Sequence, residues 1–144
     1  MPWIREQVYI RATPEEVYAV IADVENYHRY SSAIERIQPI APQRYRWQVR
    51  LLGLPLHWDA DVISATPGRR FAWRSLSGLE NRGEFRLAQV ANGTRVNFSM
   101  EYRLPFTLLN LLANGLESPL VSLFRYQLLN NVKRRLETKR PALD

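Results

Sequence analysis

Residues 44–62 read RYRWQVRLLGLPLHWDADV, and their alternation decides the fold. Tyr45, Trp47, Val49 and Leu51 fall on one side, and Arg44, Arg46, Gln48 and Arg50 on the other. Gly53-Leu54-Pro55 is turn-like, after which Leu56, Trp58, Ala60 and Val62 alternate with His57, Asp59 and Asp61. A period of two marks a strand buried on one face. Two such runs joined by a short turn make an antiparallel pair, aromatic and aliphatic on one side and charged on the other.

The same period extends in both directions. Ile34, Ile37 and Ile40 suggest a strand ending at Pro42. Pro67-Gly68 marks a turn, with Phe71, Trp73 and Ser75 on one side of the strand that follows. Gly83, Phe85 and Leu87 mark another strand, and Asn92-Gly93 a hairpin turn. Thr94, Val96, Phe98, Met100 and Tyr102 then alternate with Arg95, Asn97, Ser99, Glu101 and Arg103. The run from Ile34 to Tyr102 gives about six strands in an antiparallel meander. Before it, Trp3 to Arg11 alternate as one more strand. Thr13-Pro14-Glu15-Glu16 carries a helix start, with a capping threonine, proline at the first helical position and a glutamate three residues on. Val17, Val20, Ile21 and Val24 then predict a helix over 14–22. Residues 23–30 read as a second short helix or an aromatic loop. After Pro105, leucines from Leu108 to Leu116 open a helical region. Pro119 kinks it or starts a new helix after Ser118. Leu120, Leu123, Phe124, Leu128, Leu129, Val132 and Leu136 recur at threes and fours, predicting a long amphipathic helix ending near Lys139, with 141–144 as a tail.

The expected class is α+β: a curved antiparallel sheet wrapped around a long C-terminal helix, with two short helices after the first strand. An apolar sheet face must be covered, and only the last helix is long enough to do it. A gap left between them, lined by rings and aliphatic chains, would be an apolar pocket. The 144 residues suit one domain, 1–144, and 46% apolar content suffices for a core. Absence of cysteine excludes a disulfide scaffold, Cys-ligated metal and thiol catalysis, and two histidines exclude a His-rich metal site. No metal and no cofactor are expected. The net charge of +6 favours anionic partners. The N-terminus lacks the apolar core of a signal peptide, and polar residues interrupt the leucine-rich segment, so a cytoplasmic setting is expected.

Ala12-Thr13-Pro14-Glu15-Glu16-Val17-Tyr18, followed by 21–27 (IADVENY), resembles the START-like superfamily with its helix-grip fold. The resemblance is narrower to its polyketide cyclase/dehydrase and lipid-transport branch, and Trp58-Asp59-Ala60-Asp61-Val62, 71–75 (FAWRS), Asn81-Arg82-Gly83 and Thr94-Arg95-Val96 fit as well. Relatives in that superfamily include ubiquinone-binding chaperones and a ribosome-association toxin. The resemblance covers nearly the whole chain and implies binding of a hydrophobic molecule. Between Leu104 and Pro119 the chain departs from it, being leucine-rich where many relatives carry a glycine-rich loop.

The expected function is therefore binding or carriage of a small hydrophobic ligand, such as a lipid, isoprenoid quinone or polyketide, in an internal cavity. Trp47, Trp58, Trp73, Phe85, Phe98, Met100, Tyr102, Phe124 and Leu128 are the expected lining, with Ser75 and Asn81 as hydrogen-bonding groups for a ligand carbonyl. The plain alternatives are a solid core and polar groups satisfied at strand ends. No catalytic residue is assigned. His57 is expected on the charged outer face beside Asp59 and Asp61, and His28 near the pocket mouth. Glu80, Glu84 and Glu101 have Arg82, Arg86 and Arg103 nearby, which suits cross-strand salt bridges. An aromatase/cyclase acting on a polyketide-like substrate and a ribosome- or protein-interaction module are the alternatives. Interleaved acids disfavour nucleic acid or ribosome as partner. Leu108, Leu109, Leu111, Leu112 and Leu116 are candidates for peripheral membrane contact, a lid or a homodimer contact.

Overall fold

The computed structural model describes residues 3–113 and 118–138, with residues 107 and 111–113 described by their backbone alone. The first strand, β1 (Trp3–Ile10), leads into α1 (Pro14–Ala22) and a 3₁₀ helix (Val24–Arg29). Six strands follow: β2 (Ile34–Ala41), β3 (Arg44–Leu51), β4 (Leu54–Thr66), β5 (Arg70–Gly78), β6 (Asn81–Val90) and β7 (Gly93–Tyr102). After α2 (Phe106–Ala113) comes the C-terminal helix, built from α3 (Pro119–Val121), a π-helix (Ser122–Leu129) and α4 (Asn130–Thr138). The sheet order is β1-β7-β6-β5-β4-β3-β2, antiparallel throughout. This is the α+β meander over a helix that the alternation predicts. The expected end of the helix at Lys139 and the tail at 141–144 lie outside the described residues, as do the side chains of Leu111, Leu112 and Leu116.

Local chemistry accounts for the elements. The Thr13 hydroxyl accepts from the Glu16 N–H at 3.1 Å, and the Glu16 carboxylate accepts from the Thr13 N–H at 2.9 Å. That closes the capping box of α1 and satisfies two donors the helix cannot use itself. Pro119 starts the last helix, and the Ser118 hydroxyl accepts from the Leu120 N–H at 3.3 Å. The spacing of three between Ile34, Ile37 and Ile40 comes from register irregularities at Ile34/Arg36 and Pro39/Ala41. Ile34 and Ile37 stay buried, whereas Ile40 turns outward. Pro39 is tolerated because β2 is an edge strand.

Inward residues of the sheet meet Leu120, Leu123, Phe124, Leu128, Leu129, Val132 and Leu136 in one buried cluster. Polar ties hold the helix in register. Asn131 Nδ2 donates to the Tyr30 carbonyl at 2.7 Å, the Ser31 hydroxyl donates to Gln127, and Arg125 pairs with Glu6, the one acidic residue on the inward side of β1. Outward residues form direct cross-strand ion pairs: Arg44–Asp61 at 2.7 Å, Arg46–Asp59 at 2.9 Å and Arg82–Glu101 at 2.9 Å. Glu84 takes both Arg70, at 2.7 Å, and Arg86, at 2.6 Å.

Candidate functional site

Strand alternation brings Trp47, Trp58, Trp73, Phe85, Phe98, Met100 and Tyr102 to the buried inward face, and the helix adds Phe124 and Leu128. The rings are ordered relative to one another. Trp47 stacks on Trp58 at 5.1 Å, and Phe124 lies nearly parallel to Trp73 (6.2 Å, 17°) and to Phe98 (5.1 Å, 19°). Trp47 and Trp73 are 22° from parallel at 6.4 Å. Phe85 tilts against Phe98 at 4.9 Å. The ring carried by the helix therefore sits face-on against rings carried by the sheet.

Along the ring stack the described residues are closely packed. Two voids lined wholly by described residues each measure about 10 Å³, one beside Trp47 and Trp73 and the other beside Phe85 and Leu128. That is room for about one water. Phe124 is fully buried between sheet and helix, against Trp73 and Phe98. Larger spaces open outside the stack. A groove of about 480 Å³ runs between the β3–β4 turn and the start of the last helix, lined by Leu51, Leu52, Ser118, Ser122, Leu123 and Gln127 among others. A second, of about 430 Å³, is lined by Leu56, Gly78, Leu79, Arg103, Leu104 and Pro105 among others.

The two polar candidates are engaged within the protein. Asn81 Oδ1 accepts from the Trp73 indole N–H at 2.8 Å, and its Nδ2 donates to the Leu79 carbonyl at 2.8 Å. Ser75 Oγ accepts from the Asn81 N–H at 2.9 Å. Asn81 thereby anchors the Trp73 ring, and Ser75 bonds the Asn81 backbone. By contrast the Trp58 indole N–H is buried without a hydrogen-bond partner among the described residues. Tyr27 was not anticipated as an interior residue. It stands edge-on to Trp47 at 5.7 Å, borders both small voids, and donates its hydroxyl to the Ile21 carbonyl. Burial, with Asp23 and Tyr30 adding to it, raises its phenol pKa well above the ordinary value. The signal available for it was the Tyr27/Tyr30 spacing. His57 and His28 are both exposed, and His28 Nδ1 lies 3.1 Å from the Glu25 carbonyl. Among the described residues the buried polar side chains are Ser31, Asn81, Thr94 and Ser118, and no group of acids and histidines is arranged to hold a metal. No helix of the described residues is long and apolar enough to cross a membrane.

A curved seven-stranded antiparallel sheet closed over one C-terminal helix, with two short helices after the first strand, is the helix-grip fold of the START-like class. The family model for polyketide cyclase / dehydrase and lipid transport matches residues 1–137, and the chain belongs to that family. No curated protein matches it. Similar solved structures include one from Deinococcus radiodurans, 26% identical, covering 96% of this chain and 97% of that one at a TM-score of 0.72. A START superfamily protein from Mycobacterium smegmatis is 15% identical, covering 96% and 99% at a TM-score of 0.72. The di-domain ARO/CYC BexL from the BE-7585A biosynthetic pathway is 19% identical over 98% of this chain and 48% of its own length, at a TM-score of 0.68.

Proposed function

We propose that the protein binds a small, flat hydrophobic molecule between the sheet and the C-terminal helix. The observation that carries this reading is the stack of Trp73, Phe98 and Phe124, two rings on the sheet and one on the helix, with Trp47 stacked on Trp73 and tilted 36° to Phe124. The Phe124 ring occupies the place where a planar guest would stack, and stacked aromatic faces suit a flat guest. Two features support exchange of that ring for a ligand. Phe124 belongs to a π-helix, a geometry that recurs at functional sites. Leu123 beside it lines the larger groove, which gives a way in from solvent. Affinity would come from apolar area removed from water, at about 25 cal/mol per Å² before association costs. The described core holds no buried carboxylate or imidazole against the rings, so binding is favoured over acid–base cyclisation.

The test is native mass spectrometry of gently purified protein, with uptake of 1-anilinonaphthalene-8-sulfonate by the wild type and by Phe124→Ala. A bound adduct, and dye fluorescence that rises in the variant and is displaced by the adduct's compound, are expected. No adduct and no dye uptake by either form would sink the reading.

A further inference from the structure

We infer that the ligand presents a neutral hydrogen-bond acceptor, a carbonyl oxygen on a planar apolar frame, to the indole N–H of Trp58; this rests on ligand binding at the ring stack and narrows the ligand class. Trp58 is 0% exposed, and its Nε1 has no partner among the described residues. Its counterpart Trp73 is equally deep in the core, yet its N–H is bonded to Asn81. Buried indole donors normally find an acceptor, and an unmet one is a standing penalty. An indole N–H can only donate. A hydrocarbon leaves it unmet, whereas a carbonyl oxygen satisfies it.

The immediate neighbours of Trp58 line a groove that Trp58 itself does not reach. Its cross-strand partner on β5 is Gly78, and Leu56, the preceding inward-facing residue of β4, lies on the same side. Both Leu56 and Gly78 line the groove of about 430 Å³. Gly78 has φ +78, and a Cβ there would lie 2.3 Å from the His57 carbonyl oxygen and 2.8 Å from Trp58 Cα. Glycine therefore lets β5 close against Trp58 just where the groove begins. One face of the Trp58 ring is covered by Trp47 at 5.1 Å, but its N–H lies in the ring plane and stacking does not consume it. A carboxylate is a poorer match than a carbonyl, because no cationic side chain is buried among the described residues to offset its charge.

Fluorene and fluorenone share one flat tricyclic frame and differ by a ketone, so they separate the two ideas. Equilibrium dialysis is expected to show the wild type holding fluorenone about tenfold tighter than fluorene, the effect of one added buried hydrogen bond. Trp58→Phe should bring that ratio close to one. In the ¹H–¹⁵N spectrum of the wild type, the Trp58 indole resonance should move downfield with fluorenone and not with fluorene, a readout that holds even where the variant fails to fold. Equal affinity for the two molecules, a preference that survives Trp58→Phe, or an unmoved Trp58 resonance with fluorenone bound each overturns the donor role while leaving ligand binding intact. Failure of both molecules to bind counts against the binding reading itself.

Discussion

Trp73 is held by two small residues that contribute almost no apolar surface. Asn81 accepts its indole N–H, and Gly83 leaves room for its ring. A Cβ at residue 83 would lie 2.6 Å from both Trp73 Cζ2 and Cη2 and 3.0 Å from the Ser99 carbonyl oxygen. Gly83→Ala must displace the indole, and overpacking of this kind costs about 1–3 kcal/mol. Urea unfolding should show that loss, with a changed near-ultraviolet circular dichroism as the stacked rings move. An unchanged aromatic signal would mean that the ring does not depend on the glycine. Asn81→Ala strands the Trp73 N–H and the Leu79 carbonyl together, and a loss of about 2–3 kcal/mol is expected. Alternation places Ser75 and Asn81 on strands near the rings, but it carries no information about partners. Hence the bond from Trp73 to Asn81, and that from the Asn81 N–H to Ser75, could not be read from the sequence.

At the scale of elements, whatever is written in neighbouring residues was legible. The capping box of α1 lies within four residues, and its helix spans the predicted 14–22. Thr13→Ala removes one side of the box and should lower stability by about 1 kcal/mol in a denaturant titration, with Thr13→Ser restoring most of it. The β2 bulges and the π-helix were not legible, because a spacing of three or four fits an α-helix, a π-helix and an irregular strand alike. A π-helical turn is an α-helical turn with one residue too many. Tyr126, half exposed, lies in the middle of that segment. Its deletion should return residues 122–129 to an α-helix and keep Val132 and Leu136 facing the core. The expected result is a cooperative fold within about 2 kcal/mol of the wild type. Loss of cooperative unfolding would show that the wide turn is needed to seat Phe124. Leu108 is buried and Leu109 exposed, so the leucine-rich segment divides between core and surface where it is described.

At the scale of the whole molecule, the formal charge of +6 describes a sum, and strand register decides what it does. Arg44, Arg46, Arg82, Arg70 and Arg86 face carboxylates across the outer side of the sheet, so a run of arginines becomes a lattice of alternating sign. Each exposed pair is worth little alone, but all of them share one pH dependence. The hydrogen bond from Arg46 holds the Asp59 carboxyl below its usual range, and Arg44 does the same for Asp61. Burial pushes Glu84 and Glu137 up, but Arg86 and Arg70 at Glu84, and Lys133 and the Arg11 N–H at Glu137, outweigh it and leave both lowered. An acid lowered in the folded state binds protons less readily than the same acid in the unfolded chain. Its contribution is therefore complete above the ordinary carboxylate value and is lost as pH falls through the folded one. Melting temperature should stay level from neutral pH to about pH 5 and then fall steeply below about pH 4. Asp59→Asn with Asp61→Asn should make that acid fall shallower, because two of the protons taken up on unfolding are gone. A double variant with an unaltered acid slope would locate the acid sensitivity elsewhere, at Glu84 and at the Glu137 tie between α4 and Arg11.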